Sequence, residues 1–156
     1  MKAQLTLQGS SILEVLIATA LISLSILAAL SLNNNSQKTT SYARDLSAAT
    51  NYNNQAIDWL RHLRSDMGWG EFTTSISADN GGNPTYCLDS LPSDSAGFTA
   101  LTHGNCSAND YLTDTKLIRE AEINYLPGSD SLSVTVTTSW ENNTHSTSTE
   151  ATITNW

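Results

Sequence analysis

SSILEVLIATALISLSILAALSL, residues 10–32, is the stretch that decides the fold. From Ile12 to Leu32 it runs 21 residues, mostly Leu, Ile and Ala, with no Pro or Gly to break it. At about 1.5 Å per residue such a helix reaches ~30 Å, the thickness of the hydrocarbon core of a bilayer. Thr19, Ser23 and Ser25 interrupt the apolar pattern, but their hydroxyls can bond back to carbonyls one turn earlier. Glu14 is harder to accommodate. A carboxylate in hydrocarbon costs roughly 2.5–3.5 kcal/mol on insertion scales, so it calls for a partner or a function. The segment before the run, MKAQLTLQG (residues 1–9), is short, weakly basic and polar, and it ends in Gly9. A secretory signal is cut after its apolar segment, whereas here the small residue stands before it.

Gly9-Ser10-Ser11-Ile12-Leu13-Glu14-Val15-Leu16-Ile17 resembles the class III signal of type IV prepilins, and GSSILEVLIA is most similar to the PilV-like minor pilins. The resemblance implies cleavage after Gly9 by a membrane-embedded prepilin peptidase, with Ser10 as the first mature residue. It also implies retention of the apolar helix in the mature subunit. Glu14 is the fifth residue from Ser10, the family's signature position. There the resemblance implies that it neutralises the N-terminal ammonium of a neighbouring subunit. Major pilins usually carry Phe where this chain has Ser10, which leaves N-terminal methylation open. Two other readings compete: a conventional signal peptide cut near Ala29-Leu30-Ser31, and an uncleaved single-pass anchor.

Beyond the run the chain changes character. Formal net charge is −8, and Lys2 and Glu14 are the only charged residues before Asn33. The acidic excess therefore belongs wholly to the later, Ser/Thr/Asn/Asp-rich part. Such a surface repels phosphate backbones, and nucleic acid is not an expected partner. A total of 156 residues suits one compact domain. Cys87 and Cys106 form an isolated pair with no CxxC motif. Behind a membrane-targeting N-terminus they read as a disulfide in an oxidising compartment, the alternative being two reduced thiols.

Tyr42, Leu46, Ala49, Ala56, Leu60, Leu63 and Met67 recur at steps of three, four or seven, a helical stripe flanked by Ile57 and Trp59. Gly68 is a plausible stop. One helix from about Ser10 to about Asp66 is expected, on the order of 85 Å long. Asn33-Asn34-Asn35 is its weak point, where a kink, a melted turn or a linker between two helices is expected. Residues 68–116 have little periodicity and read as a stapled loop region containing the turn Asn80-Gly81-Gly82-Asn83-Pro84. In residues 117–156, Arg119, Ala121, Ile123 and Tyr125 alternate, as do Leu132, Val134, Val136, Thr138 and Trp140. Turns at Pro127–Asp130 and Glu141–Thr144 make an antiparallel meander of about three strands, with the helix stripe as its cover. The expected class is α+β: leader 1–9, transmembrane or filament-core helix 10–32, amphipathic continuation 33–67, stapled loop region 68–116 and β-meander 117–156. Pilins share this layout, and Trp59-Leu60-Arg61, Arg119-Glu120, Ser139-Trp140 and Asn155-Trp156 extend the resemblance to PilV-like proteins.

His62, His103 and His145 are scattered, and no HExxH, GxSxG or phosphate loop is present, so no enzyme activity is expected. Asp79, Asp89, Asp94, Asp110 and Asp114 lack EF-hand spacing and read as solvated loop acids; no cofactor or metal is expected. The functional expectation is a structural subunit, a minor pilin or pseudopilin of a type IV pilus-like filament. Its partners would be prepilin peptidase, other pilin subunits, an inner-membrane assembly platform and, before assembly, the lipid bilayer. The expected location is the inner membrane for the precursor and then an extracytoplasmic filament at the cell surface. The alternatives are a secretion or competence pseudopilin, and a membrane-tethered adhesin never assembled. Exposed aromatics at Tyr86 and Tyr111 would favour the adhesin.

Overall fold

A computed structural model describes residues 10–78, 84–101, 103–107 and 109–156. The leader 1–9 with Gly9, Asp79 and most of the Asn80–Pro84 turn lie outside the described residues. The chain divides into two units, Met1–Ala43 and Arg44–Trp156, with one helix, α1 (Ser10–Met67), running through both. Asn33, Asn34 and Asn35 are helical, so neither the melted turn nor the non-helical linker forms. The propensity cost of three Asn is modest, and a helix already nucleated on both sides carries them.

In the described part of the first unit, α1 meets no other element, and residues 12–43 are exposed. Thr19 Oγ1 donates to the Leu16 carbonyl at 3.0 Å, Ser23 Oγ to Thr19 at 2.8 Å and Ser25 Oγ to Leu21 at 2.9 Å. The hydroxyls are thereby satisfied without any partner outside the helix.

The second unit is an α+β domain. After α1 come α2 (Trp69–Ala78), β1 (Thr85–Cys87), α3 (Ser95–Thr99), β2 (Ile118–Tyr125), β3 (Ser131–Trp140) and β4 (His145–Thr154). The strands form one antiparallel sheet in the order β1-β2-β3-β4. The expected meander of about three strands is thus a four-stranded sheet. Its extra strand, β1, is three residues long, too short for alternation to reveal. Gly68, with φ +76°, breaks α1 from α2, and its amide still donates to the Arg64 carbonyl at 3.0 Å. A left-handed residue at this position suits glycine because it has no Cβ.

The core lies between the later half of α1 and the sheet. Ala56, Ile57, Leu60 and Leu63 of α1 and Phe72 and Ile76 of α2 pack on Ala121, Ile123, Leu132, Val134, Val136 and Ile153. Strand alternation was legible in the sequence: Arg119, Ala121 and Ile123, then Leu132, Val134, Val136, Thr138 and Trp140, all point inward and are buried. Tyr42, counted in the helical stripe, is instead 44% exposed. The stripe begins to be buried at Ala49 and steps through a polar residue, Asn53, that is fully buried.

Asn53 is held by the sheet. Its Nδ2 donates to the Thr147 carbonyl at 3.0 Å and to Thr149 Oγ1 at 3.4 Å. Its Oδ1 accepts from the buried Thr138 hydroxyl at 2.6 Å. A buried amide with these partners fixes the register of helix on sheet. Asn53→Ala would strand the Thr138 hydroxyl and should cost about 1–3 kcal/mol. Urea unfolding of the detergent-solubilised chain checks this, and Asn51→Ala on the exposed face should stay within about 0.5 kcal/mol of the parent.

Candidate functional site

Two features stand out. The first is the apolar surface of α1. Twelve large apolar side chains, from Ile12 through Leu32, are each 52–72% exposed in the chain alone. At 3.6 residues per turn they surround the helix axis, leaving no polar face. A soluble monomer rarely exposes an apolar patch beyond a few hundred Å2. Burying one such side chain contributes about 1.5–3 kcal/mol, so covering all twelve is worth on the order of 20 kcal/mol. That outweighs the few kcal/mol charged for Glu14. The helix is long and apolar enough to cross a membrane.

Glu14 is exposed on this surface and has no hydrogen-bond or ion-pair partner among the described residues. Its position keeps the sequence question alive: a carboxylate in an apolar setting still needs an opposite charge. The two residues of the expected processing site fare differently. Ser10 begins α1, and Gly9 lies outside the described residues.

The second feature is the stapled region. Cys87 and Cys106 form a disulfide that closes 19 residues of sequence. Cys87 sits in β1 opposite Glu120, and the Cys106 amide donates to Glu120 Oε1 at 2.8 Å. Cys87, Cys106 and Asp110 cluster within 4.8 Å, but both sulfurs are committed to the disulfide and offer no thiolate to a metal. Trp59 Nε1 donates to the Pro92 carbonyl at 2.6 Å, and its ring meets Phe98 edge-on at 5.9 Å. Gly97 lets this loop close, since a Cβ there would sit 2.3 Å from Pro92 Cβ. Asp94 caps α3 by accepting from the Gly97 amide at 2.8 Å. Tyr86 is buried at 1% exposure, its ring tilted at 38° to that of Phe98 with centroids 5.4 Å apart, so it is core and not recognition surface. Tyr111 is 39% exposed.

Arg119 joins the stapled region to the rest. It is 2% exposed, and its fork points at main-chain oxygens rather than at a carboxylate. Nε and Nη2 donate to the Leu88 carbonyl at 3.1 and 3.0 Å, and Nη1 donates to Tyr52 at 3.1 Å. Its guanidinium lies 6.0 Å from the centre of the Tyr52 ring. Burial pulls its pKa from 12.5 down to about 10, partly opposed by Tyr52 and Asp89, and it stays charged at neutral pH. Sequence alternation placed Arg119 on the inward face, but nothing in the sequence named its acceptors.

These features define a class: a chain with, among the described residues, one helix long and apolar enough to cross a membrane and a disulfide-stapled α+β domain. Comparison of the chain with protein-family models, with curated proteins and with solved structures found no match.

Replacing both cysteines by Ser should lower domain stability by roughly 3 kcal/mol in the chain-entropy model. Denaturant unfolding with and without a reductant is the check: the parent should fall to the variant's stability when reduced, and the variant should not respond.

Proposed function

We propose that the chain is a structural subunit, a minor pilin or pseudopilin, of a type IV pilus-like filament. One observation carries the reading. The stretch of α1 from residue 12 to 32, apolar on every side, bears a single carboxylate, Glu14, near its start, directly after a leader that ends in glycine. A plain anchor has no use for that acid. In a filament the same helix packs against its neighbours, and Glu14 meets the ammonium created at Ser10 by cleavage after Gly9. Each buried charge then answers the other, which a membrane alone cannot provide.

The stages follow from the same surface. The precursor sits in the inner membrane with its apolar helix in lipid. Prepilin peptidase exposes the new amine, and the assembly platform moves the helix from lipid into the filament core. The acidic domain stays in water throughout, on the extracytoplasmic side, where its disulfide forms. No catalytic role is proposed.

Intact-mass analysis of the mature protein tests the first stage. A start at Ser10, with or without one methyl group, is expected; a start near Ser31 or a retained Met1 would sink the proposal. Glu14→Ala tests the second. Cleavage should continue while incorporation into filaments is lost, and a variant that assembles normally removes the charge-pair role.

A further inference from the structure

The second unit contains a half-open groove of about 750 Å3 with no role in the reading above. It lies where α1, the loop before β2 and the β3–β4 turn meet. Its size is that of a small-molecule site rather than of a flat protein interface.

The floor is apolar and aromatic. Leu117 and Trp140 belong to a second small core with Ala49 and Leu112, and Tyr52 packs against them. The rim is polar and of mixed sign: Arg44 and Lys116 against Asp45, Asp114 and Glu141. Among the described residues, the side chains of Arg44, Asp45, Asp114 and Lys116 make no hydrogen bond or ion pair, so their donors and acceptors are uncommitted. Tyr111, the exposed aromatic of this region, completes the wall.

The rim is built, not draped. The loop from Leu112 to Leu117 is closed by Leu112 N to Leu117 O at 2.9 Å, Thr115 Oγ1 to Leu112 O at 2.9 Å and Leu117 N to Thr115 Oγ1 at 3.1 Å. Four described residues other than glycine have positive φ, and three of them line this groove: Asp114 at +60°, Glu141 at +51° and Asn142 at +56°. The β3–β4 turn demands this backbone of Glu141 and Asn142, and Asp114 and Asn142 adopt it readily, so turn geometry fixes where these side chains stand on the rim.

Charge balance narrows the ligand. Two cations facing three acids disfavour a phosphate or a polyanion, and equally a simple cation. The metal-ligand geometry is also missing, since no three carboxylates converge here among the described residues. A neutral molecule with many donors and acceptors on its edge and C–H groups on its face suits an exposed aromatic wall, Tyr111, beside a mixed polar rim. We propose that this groove binds a neutral saccharide, its ring lying against Tyr111 and its hydroxyls shared between the basic and acidic side chains. The proposal does not depend on filament assembly.

The test uses the full chain in a detergent without a sugar headgroup, probed against an array of neutral and acidic oligosaccharides. Hits are then titrated by calorimetry. Binding to neutral saccharides is expected, weakened at least about tenfold by Tyr111→Ala, which removes the face. Asn142→Gly keeps the left-handed backbone, removes the amide and should weaken binding as well, while the remote Glu71→Gln should not. Thermal unfolding of each variant should match the parent. The proposal is overturned if no neutral saccharide binds up to about 10 mM, if only acidic ones bind, or if binding survives both groove variants.

Discussion

The domain hangs on a buried cation whose hydrogen bonds go to main-chain carbonyls instead of to a carboxylate. Arg119 extends from β2 and spends its fork on the carbonyls of Leu88 and Tyr52, one in the stapled region and one in α1. Three parts of the domain distant in sequence therefore share one side chain. Desolvation works against this charge, as its lowered pKa records. What offsets the cost is charge-assisted bonding to carbonyls that would otherwise be buried. Removing the side chain would strip the Leu88 carbonyl of both its guanidinium donors, whereas the Tyr52 carbonyl keeps its place in the helical ladder of α1.

Around it, apolar packing and a second polar clasp divide the work. The Leu60, Phe72, Ile123 and Val134 core supplies most of the driving force but little direction. Asn53, bonded to Thr138, Thr147 and Thr149, supplies direction. A hydrophobic stripe could slide by a turn along the sheet at modest loss; a buried amide with fixed partners cannot. The neutral clasp and the charged one address different elements, since Asn53 reaches β3 and β4 while Arg119 reaches the loop after β1.

Much of this was legible in the sequence, for identifiable reasons. Period-two alternation in Leu132–Trp140 fixed the buried face of β3, because a strand shows its environment directly. The stripe from Ala49 to Met67 fixed the covering face of α1. Asn53 sits in that stripe's spacing, but a polar side chain carries no hydrophobic signal, and only its partners reveal why it is there. β1 escaped because three residues cannot show a period. α2 left a trace in Phe72 and Ile76, four apart, inside a stretch that otherwise looked irregular. Glu14 and the cysteines stood out as chemistry, but the disulfide is realised within one chain, whereas the surface around Glu14 is left unanswered by the chain alone. The groove beneath Tyr111 was not legible at all. Its walls come from three segments that only the folded domain brings together.

The placement of the disulfide has one more consequence, for how the sheet can grow. At one border, β1 is three residues long, clamped by Cys87–Cys106 and already bridged by His103, with the Gly104 amide on the Thr85 carbonyl at 2.8 Å. At the other, β4 runs ten residues, mostly Ser and Thr, with Glu150 as its one carboxylate and no Lys or Pro. Among the described residues no strand pairs with its far side. An unpaired strand border is a template for another chain's backbone. Any extension of this sheet, wanted or not, has a single direction in which to proceed, because the covalent staple has closed the opposite one.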